Sequence, residues 1–175
     1  MTIYLRPMTL DDGKFIVKWR NDDFVKSHCM TRPNITEESN KEFFKANVET
    51  GKYKQFMVER TDAGFGVASY PIATVYLKDM DYENRRCELC IFTSCDSEWH
   101  SEGQSIAIKM LLKKAFEEYG MHKVYSYVFY KFPEEVELLK KAGFSAECIL
   151  KNEAINKDGE YEDVVRLSIF KTSEL

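Results

Sequence analysis

The order of hydrophobic patterns along the chain predicts an α+β fold: a mixed, mostly antiparallel twisted sheet with helices on both faces. Three observations carry this. Strand-like and helix-like segments follow one another as β-α-α-β-β-β-α-β-α-β-β. The three strands in the middle are joined by polar connections, as antiparallel neighbours are. The third is followed by a long helix and another strand, a unit that closes as a right-handed crossover between parallel neighbours.

Each element has its own reason. "TIYLR" alternates as a short strand, and Pro7 with the Thr9–Asp12 run introduces a helix carrying Phe15, Ile16 and Trp19 at helical spacing. "WRNDDFV" interrupts that helix. "NITEESNKEFFKANVETG" reads as a second helix, with Thr36 as its N-cap and Gly51 after its end. "KQFMVER" and "PIATVYLKD" are strands around a polar connection (residues 61–70), and "DYEN" turns into the strand "RRCELCIFTS". "SIAIKMLLKKAFEEYG" sets Ile106, Met110, Ala115 and Phe116 near one helical face and stops at Gly120. "HKVYSYVFY" has the near-continuous apolar character of a covered central strand. "PEEVELLKKAGF" starts a helix at Pro133 and ends it at Gly143. The last two strands meet through "NKDG", an Asp-Gly hairpin signal.

Composition narrows the function classes. With 175 residues the chain reads as one domain over 1–175, long enough to bury a core. A net charge of −4 offers no basic field for nucleic acid or an anionic membrane. No apolar run is long enough to span a bilayer, and "MTIYLRP" has no signal-peptide character, so the expected compartment is the cytoplasm. Five cysteines, an odd number, suit free thiols. Cys87 and Cys90 spell C-x-x-C, but three residues apart on a strand they face opposite sides, so they neither chelate nor bridge. The three histidines have no metal-ligand spacing, and no metal is expected.

"WHSEGQSIAIKML" places Gly103 ahead of a helix, where backbone N–H groups and the helix dipole can meet a phosphate. With "YLRPMTLDD", "WRNDDFV", "IATVYLKDMDYENRRCEL", "KKAFEEYGMHKVYSYV" and "LLKKAGFSAECILKNEAINKDGEYEDVVRLSIF" in this order, the chain resembles the GNAT superfamily of acyl-CoA-dependent N-acetyltransferases. The resemblance covers nearly the whole chain. It is nearest to the branch of ribosomal-protein N-terminal and amino-sugar acetyltransferases.

That resemblance implies acetyl-CoA as co-substrate and an amine as acceptor. The family's pyrophosphate loop, Gln/Arg-x-x-Gly-x-Gly/Ala, falls on His100, Ser101, Glu102, Gly103, Gln104 and Ser105, where the first glycine is kept. Cys90, Ile91, Phe92 and Thr93 would line the thioester arm. Glu88 stands where the branch often carries a strand glutamate that takes the amine proton; its alternative is an ion pair with Arg85 or Arg86. The family's usual asparagine and proton-donating tyrosine fall on Phe132 and Leu139, so Tyr130, or Tyr127, is the candidate to protonate the leaving thiolate. The acceptor pocket would be built from the first helix–loop–helix and the last hairpin, with Trp19 as a wall and Arg20 and Asn21 as polar contacts. Trp19 as plain core and Asn21 or Asp22 as a helix cap is the competing reading.

The expected function is acetyl transfer to a protein N-terminus or a small amine. Alternatives are an amino-sugar nucleotide acetyltransferase, a catalytically weak acyl-CoA-binding domain, and an interaction module without CoA. Near the first loop Arg20, Lys26 and Arg32 balance Asp22, Asp23, Glu37 and Glu38, which leans toward a small or peptide amine over a nucleotide sugar.

Overall fold

The computed structural model describes residues 2–61, 69–91, 94 and 99–172, with the Ser101 side chain excepted. Seven strands form one sheet in the order β1-β2-β3-β4-β5-β7-β6. β1 (Thr2–Pro7), β2 (Lys54–Thr61), β3 (Tyr70–Asp81) and β4 (Arg86–Ile91) pair antiparallel in succession. β5 (Lys123–Phe129) lies parallel to β4, across the helical crossover. The C-terminal hairpin of β6 (Ser145–Ile155) and β7 (Tyr161–Phe170) folds back so that β7 pairs with β5. The mixed α+β sheet expected from the pattern is the observed one.

Among the described residues five α-helices cover it: α1 (Gly13–Asn21), α2 (Asp23–His28), α3 (Glu37–Phe43), α4 (Gln104–Lys113) and α5 (Pro133–Lys141). The stretch expected to break the first helix makes a cap between two. Asp22 Oδ1 accepts from the N–H groups of Phe24 and Val25 at 2.9 and 3.2 Å, which starts α2 directly after α1. Thr36 caps α3 as expected, in a reciprocal box with Ser39. A wider turn, Phe44–Val48, prolongs α3, and Gly51 follows at φ +78°, where a side chain would be strained.

Alternation along the strands separates two cores. Phe56, Val58, Val75, Leu77 and Leu89 face α4 and α5, packing on Ile108, Leu111 and Leu139. Met57 points the other way, onto Ile16, Trp19 and Val25 of α1 and α2. Cys87 belongs to the larger core while Cys90 lies outside it, and both are free thiols. Among the described residues no helix is long and apolar enough to cross a membrane.

Candidate active site

The site arises from the uneven pairing of β4. Against β3 its ladder reaches the last residue, with Tyr76 opposite Cys90 and Val75 opposite Ile91. Against β5 it stops after three pairs, the last being Glu88 with Tyr125. Beyond that point Leu89–Ile91 have no strand partner on the β5 side, and Ser126–Phe129 are paired with β7 alone. A cavity of about 130 Å³ fills the opening, lined by Glu88, Cys90 and Ile91 of β4 and by Ser126, Tyr127 and Val128 of β5. Gln104, Leu138 and Leu139 wall it on the α4–α5 face, and Arg20, Tyr76 and Lys78 on the other. The opening therefore runs through the sheet.

Glu88 sits in this passage with 8% of its surface exposed. Its Oε2 lies 3.3 Å from Lys78 Nζ, and Cys90 Sγ donates to Oε1 at 3.1 Å. Burial pushes the Glu88 carboxyl above the usual carboxylate range, and the Cys90 hydrogen bond and the Lys78 charge only partly offset that. Burial and then the Glu88 charge drive the Cys90 thiol well up, so it remains a protonated donor. For Lys78, burial acts to lower the pKa, but the charge and hydrogen bond of the Glu88 carboxylate, with the Asp79 charge, act to raise it, and the net shift is upward. The arginines expected to pair with Glu88 are engaged elsewhere: Arg86 Nε with Asp81 at 3.1 Å, and Arg85 Nε with the Gly120 carbonyl at 2.8 Å.

On the α4–α5 face the cavity adjoins a second one, lined by Phe24, His28, His100, Gln104 and Glu135 among others. Helical turns begin at Trp99, four residues before Gly103, and run into α4. Gly103 is buried at φ −56° and ψ −44°, so its use is the missing side chain and not a left-handed turn. Glu102 is exposed and outside the cavity walls, while Gln104 lines both cavities and Ser105 is half-buried beside it. His100 Nε2 bonds the Ser94 carbonyl, and its ring meets Phe24 edge-on at 5.7 Å. His28 stacks on Phe132 at 4.1 Å and places Nε2 3.9 Å from Glu135 Oε1. Burial, with the neighbouring Glu134 charge, pushes Glu135 up to about 7.

On the opposite face the passage continues into a groove of about 420 Å³, which shares Arg20, Thr31, Tyr76 and Lys78 with it.

Several expected residues lie elsewhere. Trp19 is 5% exposed and packs with Ile16, Val25 and Met57, so it is core and not a pocket wall. Asn21 ties the α2–α3 connection, donating to the Ile35 carbonyl at 2.7 Å and accepting from its N–H at 2.9 Å. Tyr130 comes just after the end of β5, is 57% exposed and does not line the cavity; Tyr127, three residues earlier, does. Phe92, Thr93 and the Ser101 side chain lie outside the described residues. The first helices and the last hairpin face one another across a depression lined by Asp23, Lys26, Arg32 and Asn156–Gly159, but that depression is separate from the passage. Sequence reasoning missed Lys78, Tyr76, His28 and Glu135. The signal for Lys78 was available in principle, because it is the cross-strand partner of Glu88.

A sheet opened between parallel strands can hold an extended thioester by backbone hydrogen bonds and show its carbonyl to a nucleophile from the other face. That defines the class: an acyl-CoA-dependent N-acyltransferase. Residues 2–145 match the acetyltransferase (GNAT) domain family, and the chain belongs to it. It is an N-acetyltransferase that acts on amines with acetyl-CoA as co-substrate. It is similar to the spermidine N(1)-acetyltransferase of Escherichia coli K12, 22% identical over 97% of this chain and 87% of that protein. The spermidine N-acetyltransferase of Vibrio cholerae, solved in complex with CoA and spermine, superposes with TM-score 0.85 at 25% identity, covering 96% of this chain and 95% of that one. A point mutant of the same Vibrio cholerae enzyme gives TM-score 0.81 at 25% identity, over 96% and 93% of the two chains. These relatives are small-amine enzymes, so the expected place in the ribosomal-protein and amino-sugar branch is corrected.

Proposed function

We propose that the protein acetylates the primary amine of a small molecule by direct attack on acetyl-CoA in a ternary complex. The observation that carries this is the end of β4–β5 pairing at Glu88, with that carboxylate lining the opening. The thioester arm lies along Leu89, Cys90 and Ile91, whose backbone lacks a β5 partner, and the pyrophosphate meets the backbone around Gly103, Gln104 and Ser105. The amine enters from the α1–α3 face and gives a proton to Glu88 as its nitrogen bonds the acetyl carbon. The carbon–sulfur bond then breaks. A carboxyl held above its ordinary range is a better base than an exposed one once it is ionised. Leu139, fully buried at the edge of the passage, carries no proton for the thiolate. Tyr127 lines the passage and takes that role.

The spermidine relatives support a small acceptor over a protein N-terminus. The test is thiol release from acetyl-CoA with a panel of polyamines, simple monoamines, amino sugars and N-terminal peptides. Acceleration by small amines is expected. Tight CoA binding with no acceleration by any amine would mark a binding domain instead.

A further inference from the structure

Glu88 belongs to a small polar cluster that strand register builds on one face of the sheet. Tyr76 stands opposite Cys90 and Lys78 opposite Glu88, two neighbouring cross-strand pairs, while Leu77 and Leu89 between them point into the larger core. Just past Lys78 the register slips. Asp79 and Met80 of β3 stand against a single residue of β4, Cys87. Asp79 is exposed and takes φ +49°, left-handed backbone that few side chains adopt, while Met80 packs on the larger core. Without the extra residue, alternation would aim the Asp79 carboxylate into that core. The bulge makes Lys78 and Glu88 the last regular pair on this side and turns the next acid out to solvent.

The Lys78 side chain, 27% exposed, lines both the passage and the groove beyond it, with Nζ 3.3 Å from Glu88 Oε2. Burial favours the protonated form of Glu88, and a protonated carboxyl accepts nothing from an amine. The Cys90 hydrogen bond and the Lys78 charge work against burial, and the Asp79 charge works with it. Other ionisable groups surround the same carboxyl. Tyr125 stands opposite it on β5, Cys87 precedes it on β4 facing the core, and Tyr53 stacks on Tyr76. Arg20 of α1, His28 of α2, Tyr127 of β5 and Glu135 of α5 line the cavity it sits in.

We infer that Lys78 is a positioning residue for the transfer: paired across the strands, it holds the Glu88 carboxylate ionised and fixed in the passage, ready to take the amine proton. This rests on the reading of Glu88 as the base, and two readouts keep the two apart. Carbon-13 NMR of protein labelled at the glutamate carboxyls follows the Glu88 titration with no substrate present, the signal missing from Glu88→Gln being its own. Lys78→Met and Lys78→Gln remove a cation that favours the charged form, so the midpoint should move up. About one pH unit is expected, the low end for losing a neighbouring charge, because Lys78 is partly exposed. Lys78→Arg keeps the charge and should hold the midpoint near the wild-type value. The acidic limb of kcat at saturating acetyl-CoA should follow, with spermidine as acceptor or the fastest amine of the panel above. The uncharged variants should lose about tenfold on that limb and recover at high pH. An unmoved midpoint in both uncharged variants would overturn the inference alone, as would a rate lost equally at every pH or lost just as far in Lys78→Arg. An acidic limb that survives in Glu88→Gln would overturn the reading of Glu88 as the base, and the inference with it.

Discussion

β4 meets its two neighbours in opposite ways. Toward β3 its ladder runs past a register shift at Lys78–Asp81 and reaches Ile91, and Leu77 and Leu89 bury themselves in the larger core at 0% exposure. Toward β5 it ends at Glu88, and a cavity takes the place of the missing pairs. One edge of a single strand thus supplies stability, while the other is left open, the edge along which we propose that the thioester arm lies. Backbone groups without a strand partner are a hazard at an exposed edge. Here they lie inside a cavity walled by α2, α4 and α5, where a substrate's amides can meet them.

If the two edges divide the work in this way, substitutions on each should fail differently. The largest effect belongs to the open edge. Glu88→Gln should lower kcat by roughly 10²–10³, with acetyl-CoA affinity by calorimetry little changed. Because the Glu88 carboxyl is held above its ordinary range and acts when ionised, the wild-type rate should climb as pH rises through that raised value. The Gln variant should lose this limb. Loss of affinity in step with kcat would mean that Glu88 holds the strand in place.

On the closed edge, Leu77→Ala should cost about 2–4 kcal/mol of stability in denaturant melts. Turnover per folded molecule should be nearly unchanged. A fall in turnover to match would show that the two edges are not separable.

The third test concerns the helix that covers the opening. Glu135 is raised from its ordinary 4.5 to about 7, chiefly by burial. The folded state therefore prefers the protonated acid. Its contribution is fully present below 4.5 and is lost as pH rises through about 7. A quarter of the side chain stays in water and His28 lies nearby, so the loss is about 1–2 kcal/mol. Glu135→Gln should flatten that decline in melts from pH 4 to 8, and an unaltered slope would place the carboxyl in a more solvated setting.

The smallest effect is expected from Leu139→Tyr. A phenol at the edge of the passage should raise kcat severalfold where thiolate protonation limits the rate, against about 1–3 kcal/mol for overpacking a fully buried site. No gain, together with a loss in Tyr127→Phe, would confine the proton donor to β5.

Much of the fold was legible in the residue pattern. Thr36 as a cap, Pro133 and Gly143 around α5, the Asp158-Gly159 turn, and Cys87 and Cys90 on opposite faces all follow from rules acting within a few residues. The six-residue α2 was not, because so short a helix shows too little periodicity, and its signal was the Asp22 cap alone. Among site residues Glu88 and Arg20 line the passage and His100 its adjoining cavity, whereas Trp19 went into the core because an aromatic at helical spacing serves packing as readily as binding.

The sequence by itself determined the order of elements, the mixed sheet, and the glutamate and glycine that precede the crossover helix. Their signals are local: alternation, caps and turn residues. Only the tertiary structure decided that Glu88 faces Lys78 and not its neighbours Arg85 and Arg86, since strand register sums contacts between residues far apart in the chain. It also decided that β5 presents Tyr127 to the passage while Tyr130 lies past the strand's end in solvent. The charge lining the passage was likewise a tertiary matter, because it depends on which of several nearby acids and bases face inward. Composition counts those groups without orienting them.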